Sequence, residues 1–217
     1  MNQLRFISLG SGSSGNSYYL GNKTYGILID AGIGIRNIRK RLKEQNLALE
    51  NILAVFITHE HYDHIKSVDI LSDRYHLPIY ATKKILDGIN NNKKLASKIP
   101  AHKNNISINT PIQIKDFNII AFPISHDASE TLGYSIVHQD KRFTLLTDLG
   151  YICETAAEYI KLSNHLVIEA NYDTEMLNKS AYPPYLRERI DGKKGHLSNQ
   201  ETALFLSENY SPLLANI

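Results

Sequence analysis

One heptapeptide constrains this sequence more than any other segment. It reads Thr58-His59-Glu60-His61-Tyr62-Asp63-His64 and directly follows the apolar run at 52–57. A short apolar run bounded by polar residues is typical of a buried strand. Imidazoles and a carboxylate are the ligand types that zinc, iron and manganese sites require. The segment therefore predicts a metal-binding loop at a strand end, in preference to a histidine-rich surface turn.

The spacing within this loop predicts two groups of ligands. In an extended loop His59 and His61 point in the same direction, so both reach one ion. Asp63 and His64 stand at the turn into the next predicted helix, from which they reach a second ion. Imidazole together with carboxylate makes a site that suits the activation of water.

Two later residues repeat the arrangement of a ligand placed after an apolar strand. His126 follows the run at 117–122, and Asp148 follows the run at 142–147. An aspartate after a strand is by itself more often a turn or cap residue. With the histidine loop, however, the two residues complete a dinuclear site. We expect one ion bound by His59, His61 and His126, with Asp148 bridging to a second ion held by Asp63 and His64.

The rest of the chain is predicted as groups of strands with interspersed helices. Expected strands are 4–8, 17–20, 25–30, 53–58, 79–81, 112–114, 117–122, 132–137, 142–147 and 166–169, and expected helices are 35–47, 64–76, 83–89 and one from Ser198. The last begins with an S-x-x-E capping box. The order lacks a strict βαβ rhythm, so we expect an α/β or α+β protein with two sheets between helices.

Composition and charge argue against a disulfide-stabilised, exported or membrane-spanning protein. The chain has 217 residues, a formal net charge of +2 and one cysteine. A lone cysteine fits a reducing compartment. The N-terminal residues do not resemble a signal peptide, and the longest apolar run is far below the ~18 residues of a membrane span. We expect a cytoplasmic protein without membrane contact. Lysines between Lys83 and Lys103 and a basic first helix predict either a nucleic-acid contact or solvated faces.

The motifs together resemble the metallo-β-lactamase-fold hydrolases. The segments LGSGSSGN (9–16), THEHYDHI (58–65), ISHD (124–127), LLTDLGY (145–151), IEANYD (168–173) and GHLSN (195–199) are similar to the YycJ/WalJ-type subgroup. The resemblance implies a four-layer αβ/βα sandwich made by a single domain at 1–217, with two divalent ions, Zn²⁺ or Mn²⁺. It also implies a phosphodiester hydrolase, a 5′-to-3′ exonuclease on double-stranded DNA, in which metal-activated hydroxide attacks phosphorus.

The resemblance also implies roles for residues outside the ligand set. Asp30 would orient a ligand histidine, unless it is only a turn residue. His196 would contact the scissile phosphate and protonate the leaving group, unless it is an ordinary loop histidine. Asp63 would be both a ligand and the residue that orients the nucleophile. Ser14 and Asn16 would edge the substrate cleft, although both are also common turn formers.

One departure from the family's pattern leaves alternatives open. The family's last metal ligand is a histidine in a short H-[LFI]-S segment beyond the helix at Ser198, and the sequence up to Ile217 has no such segment. We expect a chain that is incomplete at its C-terminus, without its last strand and helix, and of doubtful activity at this length. The alternatives are a small-molecule (cyclic) phosphodiesterase and a non-catalytic binding protein of the same fold. Protein partners are not predicted.

Overall fold

Buried aliphatic strands form the centres of two five-stranded sheets. The structure is a computed structural model that describes residues 4–100 and 104–217, so Lys103 of the predicted basic stretch lies outside the described residues. The chain divides into two units, 1–107 and 108–217, with one sheet in each. The predicted α+β class with two sheets is confirmed. That a single domain spans 1–217 stays a prediction.

The first unit contains five strands, four α-helices and a 3-10 helix at Leu49–Asn51 among its described residues. The strands and α-helices are β1 (Arg5–Gly10), β2 (Ser17–Gly21), β3 (Gly26–Ile29), α1 (Ile35–Glu44), β4 (Ile52–Phe56), α2 (Tyr62–Ile65), α3 (Val68–Asp73), β5 (Ile79–Tyr80) and α4 (Lys83–Asn91). Every residue of β3 is buried, so both faces of the sheet are covered at this strand.

Strand direction explains why three loops of the first unit meet. The sheet order is β1-β2-β3-β4-β5. The β1–β2 and β2–β3 pairs are antiparallel, and the β3–β4 pair is parallel. β1, β3 and β4 therefore run in the same direction, and their carboxyl ends lie at one edge of the sheet. The segments that follow these ends are 11–16, 30–34 and 57–61, which include most of the predicted site residues of this unit.

The second unit contains the other five strands and four helices. They are β6 (Ile112–Ile114), β7 (Phe117–Ile124), β8 (Thr131–His138), β9 (Lys141–Leu146), α5 (Glu154–Lys161), β10 (His165–Ile168), α6 (Thr174–Asn178), α7 (Pro184–Ile190) and α8 (Asn199–Glu208). Its core includes Phe122, Leu146, Ile160 and Leu166. α8 begins after Ser198, whose side chain accepts a hydrogen bond from the amide of Glu201, so the predicted capping box is confirmed.

The second sheet also gathers strand ends at one edge. Its order is β10-β9-β8-β7-β6, in which β9 and β10 are parallel and the other pairs are antiparallel. β7 and β9 are both antiparallel to β8, so β7, β9 and β10 share one direction. The residues after their carboxyl ends include His126, Asp148 and Glu169. Ligand-type residues far apart in the sequence are thus brought to one edge by topology.

Two of the predicted helices are wrong in extent. The helix expected at 64–76 is divided into α2 and α3 at Ser67, whose backbone has φ −116° and ψ 7°. The Ser67 amide donates to the Ala31 carbonyl (2.9 Å), and the hydroxyl donates to the Ile33 carbonyl (2.7 Å). These tertiary bonds override the helical periodicity. The helix expected at 35–47 ends at Glu44, because Asn46 has φ 58°, a left-handed conformation that closes helices.

No helix within the described ranges has the length and apolar character that crossing a bilayer would require.

Candidate metal centre

Asp30 is the central acceptor of the first unit's site. Its carboxylate is fully buried directly after β3, where the backbone takes a left-handed φ of 60°. It accepts hydrogen bonds from the amide and hydroxyl of Thr58 (2.8 Å each) and lies 2.8 Å from His64 Nδ1. Burial raises the pKa of Asp30, and the charge and hydrogen bond of His64 offset part of the rise. Three donors satisfy a carboxylate that would otherwise be very costly to bury.

The hydrogen bonds of Asn16 fix the protonation of His64. The amide of Gly12 donates to Asn16 Oδ1 (2.9 Å), and Asn16 Nδ2 donates back to the Gly12 carbonyl (3.2 Å), so the orientation of the side-chain amide is determined. Asn16 Nδ2 lies 2.9 Å from His64 Nε2. Because an amide nitrogen only donates, Nε2 carries the lone pair and Nδ1 carries the proton that Asp30 accepts. In this tautomer Nε2 is the nitrogen through which His64 would bind a metal ion.

Thr58 extends the same control to His59. The Thr58 hydroxyl donates its proton to Asp30, so its lone pair accepts from His59 Nδ1 at 3.0 Å. His59 therefore also presents its lone pair at Nε2. The imidazole centroid of His59 lies 4.6 Å from that of His61 and 4.1 Å from that of His64. The loop thus brings the three predicted histidines together, as the sequence indicated.

A glycine makes the close packing of this loop possible. A Cβ added to Gly32 would lie 1.5 Å from the Asp63 carbonyl oxygen, which means that only glycine fits there. The same oxygen accepts a hydrogen bond from the Asn16 amide (2.7 Å). The Asp63 carboxylate lies 3.7 Å from His64 Nε2. Ser14, on the same 11–16 segment, is exposed to solvent, whereas Asn16 is buried against His64.

The second unit has a ligand cluster of its own. His126, Asp148 and His196 have ligand atoms within 4.8 Å of one another. Asp148 follows β9 in a left-handed conformation, φ 53°, and its carboxylate lies 3.6 Å from His196 Nδ1. The rings of His126 and His196 have centroids 5.1 Å apart. The predicted leaving-group acid therefore lies beside two predicted ligands of its unit.

Burial favours the neutral form of His126, whose Nε2 lies 3.2 Å from the Asp127 carboxylate. Its Nδ1 donates to the Gly195 carbonyl at 2.9 Å, which leaves the lone pair on Nε2. Burial lowers the pKa of His126, against the charge of Asp148 that would raise it. Neutral imidazole is the form that binds metal ions.

Sequence reasoning missed Glu169, which holds His196. Glu169 Oε1 accepts from His196 Nδ1 (2.8 Å), and Oε2 accepts from the Leu149 amide (2.7 Å). Burial lowers the pKa of His196, but the hydrogen bond and charge of Glu169 and the charge of Asp148 outweigh it and raise the pKa overall. Its position in the sequence was the signal that could have identified it, because Glu169 follows the apolar run of β10 much as Asp148 follows that of β9.

A second missed contact fixes the segment before His196. The Arg189 guanidinium binds the Asp127 carboxylate through Nε and Nη2, each at 2.6 Å. The carbonyl of Lys193 accepts from the Ser125 hydroxyl at 2.8 Å. These bonds join the loop after β7 to α7 and to the loop that follows α7, and they hold the Gly195 carbonyl where His126 can donate to it.

The donor sets of the two units suit hard or borderline divalent ions. Among the predicted ligands all donor atoms are imidazole nitrogens or carboxylate oxygens, the set that zinc and manganese accept. His59, His64 and His126 each donate Nδ1 to a protein oxygen and keep the lone pair on Nε2. The residues present therefore fit divalent metal binding.

Comparison with protein families finds one matching family model. The family described as a beta-lactamase superfamily domain matches residues 25–212. This match includes the ligand-type residues of both units.

Two relatives with curated names are similar over most of the chain. Exodeoxyribonuclease WalJ of Streptococcus pneumoniae is 37% identical over 199 residues, covering 92% of this chain and 74% of the relative. Exodeoxyribonuclease YycJ of Bacillus anthracis is 33% identical over 206 residues, covering 94% of this chain and 77% of the relative. Among solved structures, the metallo-β-lactamase-fold protein YhfI of Bacillus subtilis has a TM-score of 0.69 at 17% identity, covering 97% of this chain and 84% of that one.

Proposed function

The chain belongs to the beta-lactamase superfamily, within the group that contains WalJ and YycJ, and we propose that it is a metal-dependent exodeoxyribonuclease. The family and the metallo-β-lactamase fold that the motifs predicted are confirmed. The relatives named exodeoxyribonucleases support DNA as the substrate. The proposal includes 5′-to-3′ removal of nucleotides from double-stranded DNA.

One observation carries the proposal of a metal-dependent reaction. Histidines in both units donate their Nδ1 protons to protein oxygens, which makes Nε2 the nitrogen that would bind a metal ion. Without an ion, Nε2 of His64 accepts from Asn16 and Nε2 of His126 lies 3.2 Å from the Asp127 carboxylate, contacts that a bound ion would replace. Ordinary surface histidines have no need of such fixed tautomers. We propose the ligand sets expected from the sequence: His59, His61 and His126 for one ion, and Asp63, His64 and the bridging Asp148 for the other, with Zn²⁺ or Mn²⁺ as the metals.

The chain's own residues would supply positioning and proton transfer. Divalent ions, when bound, lower the pKa of water and neutralise charge on phosphate oxygens. Asp63 lies in the first turn of α2 with its carboxylate partly exposed, a position from which it would orient an attacking water. His196 donates a hydrogen bond from Nδ1 to Glu169, and in its protonated form it also carries a proton on Nε2, which it would donate to the leaving oxygen. The raised pKa of His196 favours this protonated form.

The proposal is tested with end-labelled duplexes and purified full-length chain. With Mn²⁺ or Zn²⁺ we expect progressive loss of nucleotides from 5′ ends, abolished by EDTA. His126→Ala should lower the rate by at least ~10²-fold, because a ligand is lost and the remaining donors bind metal more weakly. The matched control is His76→Asn, which removes an exposed imidazole outside both clusters from a left-handed residue that asparagine tolerates.

Three results would contradict the proposal or the ligand set on which it depends. Intact DNA with metal-loaded protein, together with hydrolysis of bis-p-nitrophenyl phosphate, would favour the small-molecule phosphodiesterase. Metal binding without hydrolysis of either substrate would favour the non-catalytic binding protein. An effect of His76→Asn equal to that of His126→Ala would remove the support for the proposed ligand set.

A cytoplasmic location is part of the same proposal. The single cysteine, Cys153, fits a reducing compartment, and chromosomal DNA is found there in bacteria such as those of the named relatives. Fractionation of cells expressing the full chain, followed by detection in the soluble cytoplasmic fraction, checks it.

A further inference from the structure

A lysine-rich loop follows α4 in the first unit. We call residues 92–98 the basic loop; it contains Lys93, Lys94 and Lys98, all exposed, and no acidic residue. The nearest acidic residue earlier in the chain is Asp87, which pairs with Lys83 at 2.6 Å. The loop therefore carries a local charge of +3 that its own sequence does not neutralise.

A buried carboxylate fastens the basic loop. Asp69 on α3 is 4% exposed, and its Oδ2 accepts a hydrogen bond from the amide of Ala96 in the middle of the loop (2.8 Å). Its Oδ1 accepts from the amide of Ile70 (2.8 Å). Burying a carboxylate costs free energy unless its oxygens accept hydrogen bonds. One of the two oxygens of Asp69 accepts its hydrogen bond from the basic loop. Asp69 is not part of the proposed ligand set.

A side-chain amide fastens the end of the loop. Asn90 Oδ1 accepts from the Ile99 amide (2.7 Å), and Asn90 Nδ2 donates to the Ile99 carbonyl (2.9 Å). Ile99 itself is buried. The basic loop is therefore anchored at two points, while its lysines face solvent. Anchoring reduces the conformational entropy that the loop would lose on binding a ligand.

The basic loop contacts the start of α2, next to predicted metal ligands of the same unit. Lys94 Nζ lies 4.6 Å from the ring centroid of Tyr62, a cation–π geometry. Tyr62 stands in the chain between the proposed ligands His61 and Asp63. A fixed positive charge is thus held beside residues that would bind the metal ions. An ammonium has three donors, so contact with the ring leaves it able to bind an anion.

We propose that the basic loop binds backbone phosphates of the DNA strand next to the scissile phosphate, with Lys94 as the principal contact. The inference rests on the proposed function and adds the surface on which the substrate lies. Each strand of a duplex presents a phosphate about every 3.4 Å of helix axis, so neighbouring phosphates lie within reach of a loop beside the metal ligands. Asp69 acts as a positioning residue, since it holds the loop without touching DNA.

Binding of a labelled duplex to metal-free protein in EDTA tests the inference without cleavage. Lys94→Ala should weaken binding several-fold at ~100 mM salt and reduce the slope of log K against log salt by about 1, the effect of losing one phosphate contact. The matched control is Lys23→Ala. Lys23 is exposed in the β2–β3 turn, at the opposite edge of the same sheet. Its removal should leave affinity and slope near the wild-type values.

Asp69→Ala tests the anchoring with steady-state kinetics on DNA. Freeing the loop should raise KM for duplex DNA more than it lowers kcat, a split that general destabilisation would not produce. Lys94→Ala changes only an exposed side chain, so it decides the question even if Asp69→Ala does not fold. Equal affinity and slope for Lys94→Ala, Lys23→Ala and wild type would overturn the inference.

The two proposals fail in distinguishable ways. If the metal-loaded wild-type chain leaves DNA intact, the exonuclease proposal fails, while the salt-dependent binding assay still decides whether the basic loop contacts DNA. If wild-type chain shortens DNA and Lys94→Ala binds as the control does, only the basic-loop inference fails.

Discussion

At the scale of single residues, Asp30 determines the tautomers of two histidines. Asp30→Asn should lower the free energy of unfolding by about 1–3 kcal/mol, because an amide nitrogen would face donors that need an acceptor. It should also weaken metal binding by roughly 10–100-fold through the lost orientation of His64 and His59. Denaturant unfolding of the metal-free chain and metal titration measure the two effects. Unchanged metal affinity would show that Asp30 serves stability alone.

Glu169 is expected to control the protonation of His196. In Glu169→Gln the amide oxygen can still accept from Leu149, but an NH₂ group then faces His196 Nδ1. The protonated imidazole loses its acceptor, so the pKa of His196 should fall. An NMR titration of the imidazole in metal-free protein measures this change. A pKa that does not fall would contradict the pairing.

The loss of stability caused by Glu169→Gln should depend on pH. The pKa of His196 is raised in the folded state. Its contribution to stability is therefore complete below the unfolded value of ~6.5 and is lost as the pH rises through the folded pKa. Glu169→Gln should thus destabilise the metal-free chain more below pH 6 than above pH 8. An equal loss at both values would mean that the effect comes from other contacts of Glu169.

At the scale of elements, close packing at Gly32 is expected to be indispensable. A Cβ at this position would overlap the Asp63 carbonyl, so Gly32→Ala should destabilise the chain by about 3 kcal/mol or more and displace the ligand loop. Gly34→Ala is the matched control. A Cβ there meets nothing within 4 Å, and the change should stay within about 0.5 kcal/mol. Thermal unfolding compares the two, and similar losses would contradict the packing argument.

Element prediction succeeded where local signals agreed with tertiary contacts. Strands with continuous apolar runs, such as β4 and β7, were predicted within about two residues. The helix expected at 64–76 was wrong, because Ser67 bonds to residues 31–33, which no local pattern reveals. The short helices α6 and α7 were not predicted, since neither has enough turns for a clear apolar period.

At the scale of the whole molecule, metal binding should stabilise the fold. Free Zn²⁺ or Mn²⁺ at 100 times its Kd should raise the free energy of unfolding by about 2.7 kcal/mol. Differential scanning fluorimetry with and without EDTA measures the shift. His59→Ala should reduce it strongly, whereas His76→Asn should retain it. Identical melting curves with metal and with EDTA would contradict the proposed centre.

The candidate site was more predictable from the sequence than its supporting contacts. Ligand types and their position after apolar strands were enough to select His59 and His126 as candidate ligands, and the structure places both after strand ends. Glu169 and the Asp127–Arg189 pair were missed, because their roles depend on hydrogen-bond partners far away in the chain. Residue type and strand pattern indicate which side chains lie at the edge of a sheet. Which of them are hydrogen-bonded to one another depends on the three-dimensional structure.

The left-handed aspartates have a consequence beyond this chain. Asp30 and Asp148 each begin an Asp-x-Gly tripeptide that ends at a glycine, Gly32 or Gly150, against which another segment's carbonyl rests. Aspartate adopts the left-handed conformation more readily than most residues. The glycine has no Cβ, so the backbone of another segment can pack directly against it. An apolar run followed by Asp-x-Gly is therefore a short sequence motif that indicates a carboxylate at the edge of a sheet. It can be searched for in genome sequences for which no structure is known.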